Sequence, residues 1–136
     1  YSYDEGDLSG VTAAAKMGLD AAIVFKTLVA KGDKSGYIVA IIPVAQELDM
    51  KSFARISGDK KVEMLHQKDL LGITGYMRGG CSPIGMKKAF PTYLEESALS
   101  HASIGVNGGQ RGIQLMIDPK DLIAYLDITV FSNNSQ

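Results

Sequence analysis

The chain is short of the residues from which many sites are built. Among its 136 residues are one cysteine, Cys81, and two histidines, His66 and His101. A single cysteine excludes an internal disulfide and a zinc cluster. Two histidines supply at most part of a metal site, so neither a metal nor a cofactor is expected. No run of about 18 apolar residues occurs, so no membrane span is expected. No secretory signal opens the sequence, and with a free thiol this leads to the expectation of a reducing cytoplasm. Charge of one sign is also missing, because 14 basic residues meet 15 acidic ones for a net charge of −1. That excludes a basic protein that coats nucleic acid and leaves room only for local contact with a polyanion. No low-complexity linker and no internal repeat divides the chain. Residues 1–136 therefore read as one domain, with 46% hydrophobic residues to fill a core without disulfide staples. Nothing suggests an extended interface, so a monomer is expected.

What is present is a mixture of helical and strand signals. "SGVTAAAKMG" reads as a short helix with Ser9 as N-cap and Gly18 as its stop. "FKTLVA" and "YIVAIIPV" read as two strands joined by the turn "KGDKSG". The run Ile38–Val44 is apolar without alternation, as in a strand buried on both faces. "LDMKSFARISG" is a helix capped by Asp49 and ended by Gly58, with Phe53, Ala54 and Ile56 facing inward. "KVEML" is a short strand and "HQKDLLGITG" a short helix. "PTYLEES" and "HASIGVN" are strand candidates, and "NGGQRG" is a hairpin turn leading into the strand "IQLMI". "DPKDLIAYLD" is a helix with Asp118 at the cap and Pro119 in the first helical position. Strands and helices do not alternate strictly, and several strands are joined by hairpins. The expected fold is therefore α/β, a mixed and partly closed β-barrel sheet surrounded by helices, and not a doubly wound nucleotide fold.

The segment "TGYMRGGCSPIGMKK", residues 74–88, stands out. Gly79 and Gly80 let the backbone bend sharply or let a ligand approach it. The segment has neither the GxxxxGK[ST] nor the GxGxxG phosphate spacing. An ordinary turn and a binding wall made of main-chain amides both remain open from the residues alone. Lys26, in the otherwise apolar strand "VFKTLVA", reads either as a surface lysine on the alternate face or as a fixed cation in a site.

Four stretches carry a resemblance: "VFKTLVA", "LDMKSFARISGDKKVEML", "TGYMRGGCSPIGMKKAFPT" and "VNGGQRGIQL". In this order and spacing, the chain resembles the YbaK/EbsC family, related to the editing domain of bacterial prolyl-tRNA synthetase, from about Tyr3 to Asp127. The resemblance implies the editing-domain fold and trans-editing, the cleavage of the ester of a wrongly charged tRNA such as cysteinyl-tRNA(Pro). Close relatives clear alanine or another small amino acid. It implies mischarged tRNA as partner, with prolyl-tRNA synthetase as a second. It puts the family's lysine on Lys26 and its glycine-loop position on Gly79, the two catalytic candidates. Tyr3, Thr27, Gly80, Cys81, Ser82, Pro83, Gly85 and Asn107 are the substrate-binding candidates. Asn107 and Gln114 stand where some members carry serine and aspartate, which bears on amino-acid choice.

The ester substrate is already activated, so the site must chiefly hold the terminal adenosine and stabilise the developing oxyanion. Main-chain amides near Gly79–Ser82 suit that task because they are fixed before reaction. Cys81 lacks a signalled histidine partner to activate it, and a cysteinyl substrate brings its own thiol. Lys87, Lys88 and Arg111 are the cations expected to meet the tRNA acceptor end. Glu95 is read either as a partner for an amine or ribose or as a solvated strand end. Met64, Met77, Met86 and Met116 are read as core or wall filler. Two other readings stay open: a non-catalytic module that binds a tRNA 3′ end, and a hydrolase of another small ester.

Overall fold

The computed structural model describes residues 23–65, 90–107 and 114–133. In chain order these form β1 (Phe25–Gly32), β2 (Gly36–Pro43), helix α1 (Met50–Ser57), β3 (Val62–Met64), β4 (Thr92–Glu95), a 3-10 helix (Glu96–Ser100), β5 (Ile104–Asn107), β6 (Gln114–Ile117), helix α2 (Pro119–Leu126) and β7 (Thr129–Phe131). Five strands make one mixed sheet in the order β3-β1-β2-β4-β7, and β5 with β6 makes a separate antiparallel pair. β1 is antiparallel to β2 and to β3, whereas β2–β4 and β4–β7 are parallel.

β2 lies inside the sheet, and residues 38–43 are all buried, which is why that stretch carries no polar alternation. Side chains on β1 alternate between two cores. Phe25 and Val29 join Val39, Ile41, Leu94, Ile104, Val106 and Leu122 on one face. Leu28 and Ala30 join Ile38, Ala40, Ile42, Phe53 and Phe131 on the other. Helix α1 covers this second face. It starts at Asp49, whose carboxylate accepts from the Ser52 hydroxyl at 2.6 Å, and stops at Gly58 with φ of 81°, a left-handed position that favours glycine. In α2, Asp118 accepts from the Lys120 amide and Pro119 opens the first turn, as the sequence implies.

Several expectations change. The sheet is not a closed barrel: among the described residues, β5 packs its side chains against the five-stranded sheet but forms one backbone bridge to it, Val24–Gly105. "PTYLEES" does not continue as a strand beyond Glu95. The Glu95 carboxylate accepts from the Ser97 amide and hydroxyl, which turns the chain into the 3-10 helix. Glu95 is therefore a buried cap and not a solvated strand end. "HASIGVN" becomes a strand only from Ile104. Ile56, in the last turn of α1, is 42% exposed and does not face inward as expected. Met64, on the edge strand β3, is exposed and not filler. β7 has no counterpart in the sequence reading. The helices read at 9–18 and 66–75 and the turn 108–113 lie outside the described residues.

The β1–β2 turn is fastened to the segment after α1 by two aspartates. Asp59 Oδ1 accepts from the Lys34 and Ser35 amides, each at 2.8 Å, and Oδ2 from the Ser57 hydroxyl at 2.7 Å. Asp33 returns the contact, accepting from the Lys60 amide at 2.9 Å and the Lys61 amide at 3.2 Å. Donation from Ser57, then from the backbone amides, holds the Asp59 carboxyl far below the usual carboxylate range. A lowered folded value means that the stabilisation is present at neutral pH and fades as acid protonates the carboxylate. Gly32 packs directly against this group, and a Cβ there would overlap the carboxylate. Gly32→Ala is expected to cost about 1–3 kcal/mol in denaturant unfolding. A cost near zero would show that the turn yields freely.

Candidate active site

Lys26 occupies an unusual interval of β1. β2 runs along one edge of β1 in continuous register, from Phe25–Pro43 to Gly32–Gly36, and the Val44 amide donates to Val24 O at 2.9 Å on that same side. β3 and β5 must therefore share the other edge. β3 takes Ala30–Gly32, and the Leu65 amide extends the contact to Val29 O at 3.0 Å. β5 forms its one backbone bridge to this edge at Val24 among the described residues. Between them, residues 25–28 have no strand partner on this edge among the described residues. Among the described residues, Lys26 thus lies between the β3 pairing and the Val24–Gly105 bridge.

Lys26 pairs in register with Ile42 and points to the face of Leu28 and Ala30, the face covered by α1. It is partly buried. Burial lowers its pKa from the ordinary lysine value, and the Glu47 carboxylate partly offsets that effect. A cation that is costly to desolvate yet kept in an apolar strand is a functional-site signal. The Val24–Gly105 bridge is parallel. Its register, carried two residues on, sets Asn107 level with Lys26 and on the same side of the sheet. Asn107 is buried at the end of β5, opposite Gln114 on β6. By that register Lys26 and Asn107 share a side of the sheet.

Thr27 is not brought to them. It lies on the opposite face of β1, and its hydroxyl is buried with no hydrogen-bond partner among the described residues. An unpaired buried hydroxyl costs about 1–3 kcal/mol. Thr27→Val keeps the shape and is expected to raise stability by about 1 kcal/mol in thermal or urea unfolding while leaving activity unchanged. A fall in activity with a gain in stability would instead assign the hydroxyl to the substrate.

Tyr3 lies outside the described residues, as do Gly79, Gly80, Cys81, Ser82, Pro83 and Gly85 of the glycine-rich segment. The same holds for Lys87, Lys88, Arg111 and His66. The points between which the glycine-rich segment runs are fixed. Leu65 is tied to Val29, and Pro91 O accepts from the Val39 amide at 2.9 Å. His101 ends the 3-10 helix, its amide donating to Ala98 O at 3.2 Å.

Sequence reasoning missed the clamp on the loop that follows β2. Asn133, 8% exposed, donates to Gln46 Oε1 at 2.9 Å and to Glu47 O at 3.0 Å, and accepts from the Asp49 amide at 2.8 Å. No local pattern marks an asparagine near the end of the chain as the partner of a loop more than 80 residues away. Among the described residues, no three His, Cys, Asp or Glu side chains gather to hold a metal. No helix among them is long and apolar enough to cross a membrane. An open hollow of about 260 Å³, lined by Lys31, Gly32, Asp33, Lys61 and Glu63, sits at the far end of β1. At about 3.3 Å per strand residue, Lys31 stands roughly 17 Å from Lys26, so this hollow is separate from the lysine's surroundings.

Comparison with known proteins places this geometry in context. A family model described as an aminoacyl-tRNA editing domain matches residues 8–125. A protein of Enterococcus faecalis (strain ATCC 700802 / V583), named "Putative Cys-tRNA(Pro)/Cys-tRNA(Cys) deacylase EbsC", is 51% identical over 124 residues, covering 91% of this chain and 76% of the relative. A solved structure titled "Crystal structure of a putative trans-editing enzyme for prolyl tRNA synthetase" superposes with a TM-score of 0.89 at 23% identity, covering 98% of this chain and 83% of that one. A second, of a hypothetical protein, has a TM-score of 0.87 at 22% identity and covers 96% and 85%. At these identities the two structures establish a shared fold.

Proposed function

Because the chain belongs to the aminoacyl-tRNA editing domain family, we propose that it is a trans-editing deacylase that removes cysteine from mischarged tRNA, with Cys-tRNA(Pro) as its principal substrate. The observation that carries this reading is the half-buried Lys26, set between the β3 pairing and the Val24–Gly105 bridge, in a chain 51% identical to a relative named as a Cys-tRNA deacylase. That relative's name joins one amino acid to two tRNAs. This favours recognition of the cysteinyl group over recognition of the tRNA body.

The chemistry needs little from the protein beyond placement. The cysteinyl thiol attacks its own ester carbonyl, forming a C–S bond. The ester C–O bond breaks, the thiol proton passes to the ribose oxygen, and the cysteine leaves as a thiolactone. Charge builds on the carbonyl oxygen in between. The Lys26 ammonium holds the terminal phosphate or ribose, or polarises the ester. Amides near Gly79–Ser82 stabilise the oxyanion, a contribution of about 3–4 kcal/mol per well-placed donor. Cys81 is a bystander, since the nucleophile arrives with the substrate. Thiol chemistry also solves a selectivity problem, because one methylene in a pocket is worth only about 1–3 kcal/mol. Serine offers a poorer nucleophile and alanine none.

In this reading the protein works in the cytoplasm as a monomer. It meets the acceptor end of tRNA through Lys87, Lys88 and Arg111, with prolyl-tRNA synthetase supplying further affinity. The test is a panel of tRNAs charged with cysteine, alanine, serine or proline, each with and without the synthetase. Release from Cys-tRNA(Pro), faster than from the other three, is expected. Binding without turnover, or release only from alanyl-tRNA, would overturn the proposal.

A further inference from the structure

We propose that the outer face of α1 and the adjoining β1–β2 turn form a track for the phosphate backbone of the tRNA acceptor end, carried by Lys51, Arg55, Lys34 and Lys60. The inference rests on the editing reading for its partner and adds a surface to it.

Charge is divided unevenly over the described residues. Residues 23–65 hold seven lysine and arginine side chains against five carboxylates. Residues 90–107 and 114–133 hold one lysine, Lys120, against five carboxylates. A polyanion is drawn to the α1 side of such a molecule and turned away from the α2 side.

Helix α1 lines up the cations. Lys51 and Arg55 are exposed and four residues apart, so they share one face. Ser52, Phe53 and Ala54 are buried on the other side, and α1 contains no acidic residue. The helix also has a definite course. The chain leaves β2 at Pro43, the end of the sheet where Lys26 pairs with Ile42. It reaches the opposite end at Ser57, whose carbonyl accepts from the Ser35 hydroxyl of the β1–β2 turn at 3.1 Å. Eight helical residues cover about 12 Å of that path. Exposed Lys34, in the turn, and exposed Lys60, just past the helix, continue it.

The acids along this path are engaged by other donors. Asp49 caps α1 through the Ser52 hydroxyl. Asp59 accepts from the Lys34 and Ser35 amides, and Asp33 from the Lys60 and Lys61 amides. Backbone bonds thus hold these carboxylates. Among the described residues the ion pair at this end is the exposed one between Lys61 and Glu63, at 3.1 Å, which leaves the Lys34 and Lys60 ammonium groups to solvent. A protein partner would call for an apolar, dry centre. This face offers cations in a row, with Ile56 as its exposed large apolar side chain, and so fits a repeating anion.

The test measures binding of uncharged tRNA(Pro) to the full chain across a salt series. In the double variant Lys51→Ala, Arg55→Ala, affinity is expected to fall about 5- to 20-fold, and the salt slope to become shallower by about one to two. In deacylation of Cys-tRNA(Pro) the loss falls on KM more than on kcat, because a contact remote from the ester is equal in ground and transition states. Lys120→Ala removes an equally exposed cation on the α2 side and is expected to change neither binding nor slope. Should loss of Arg55 from the last turn loosen α1, the pair Lys34→Ala, Lys60→Ala reads the same track outside the helix. Unchanged affinity and slope in both pairs, or an equal loss in Lys120→Ala, overturns the proposal. So does loss of prolyl-tRNA synthetase binding with tRNA binding intact, which would mark a protein interface. A parent chain that binds tRNA through these residues yet releases no cysteine strikes the editing reading and supports the track. A parent that releases cysteine, with both pairs matching it in KM and binding, strikes the track alone.

Discussion

Lys26→Ala is expected to slow deacylation of Cys-tRNA(Pro) by about 100- to 1,000-fold, the scale seen when a single electrostatic contact to a developing charge is removed. The loss should come without unfolding. Lys26 sits in a strand whose neighbours Phe25, Val29 and Ala30 are buried, and its own pKa is lowered by that burial. A lysine whose folded value lies below its unfolded value opposes folding while it stays protonated, and the opposition is relieved only at alkaline pH. Lys26→Met keeps the stem and removes the charge. It is expected to abolish activity equally while leaving the thermal midpoint unchanged or higher. A paired loss of activity and stability would point to a structural lysine.

The pH dependence has a definite sign. If the ammonium is the working form, the enzymatic rate falls as pH climbs through the lowered Lys26 pKa, below the ordinary value of 10.5. If the free amine worked as a base, the rate would rise over the same range. Initial rates corrected for spontaneous ester hydrolysis separate the two. Deacylation undiminished in Lys26→Ala would end the case for this residue.

Phe53→Ala is expected to be the most damaging single change to the fold, at about 3–5 kcal/mol. Phe53 is wholly buried in α1. Its ring meets Tyr93 of β4 edge-on, with centroids 5.3 Å apart, and Phe131 of β7 at 5.6 Å. Tyr93 and Phe131 also meet, at 6.4 Å. One side chain thus ties the helix to two strands joined to one another in parallel. Removing it leaves a cavity and ends two aromatic contacts, each worth about 0.5–1.5 kcal/mol beyond burial. Against a total stability of about 5–15 kcal/mol for a domain, that is a large share. The urea midpoint should fall with the slope nearly unchanged. A cost below about 1 kcal/mol would mean that the three rings do not act together. Phe53→Leu, which keeps most of the volume, should cost distinctly less.

How far this could be read from the sequence depends on the distance over which each feature is decided. The β1–β2 hairpin is legible because two β-rich runs flank a turn of Gly, Asp, Lys and Ser within 20 residues. The caps of α1 and α2 are legible because Asp49, Gly58, Asp118 and Pro119 act on their own helix. Lys26 is legible as a charge in an apolar run and as the lysine of a family motif. β7 is not, because three residues after a helix become a strand only when β4 is there to pair with them. Nor is Asp59, whose partners lie on a turn more than 20 residues earlier.

The sequence alone determined the β1–β2 hairpin, the caps of α1 and α2 and the motifs that mark the family, Lys26 among them, since each is written in side chains within a few positions of one another. The tertiary structure alone decided that β3 and β5 share one edge of β1, that Thr27 faces away from Lys26, and that Asn133 reaches back to the loop after β2. Edge sharing, strand faces and hydrogen bonds across the fold depend on which distant backbone arrives alongside. The chain acquires those neighbours only when burial of its two cores brings them into place.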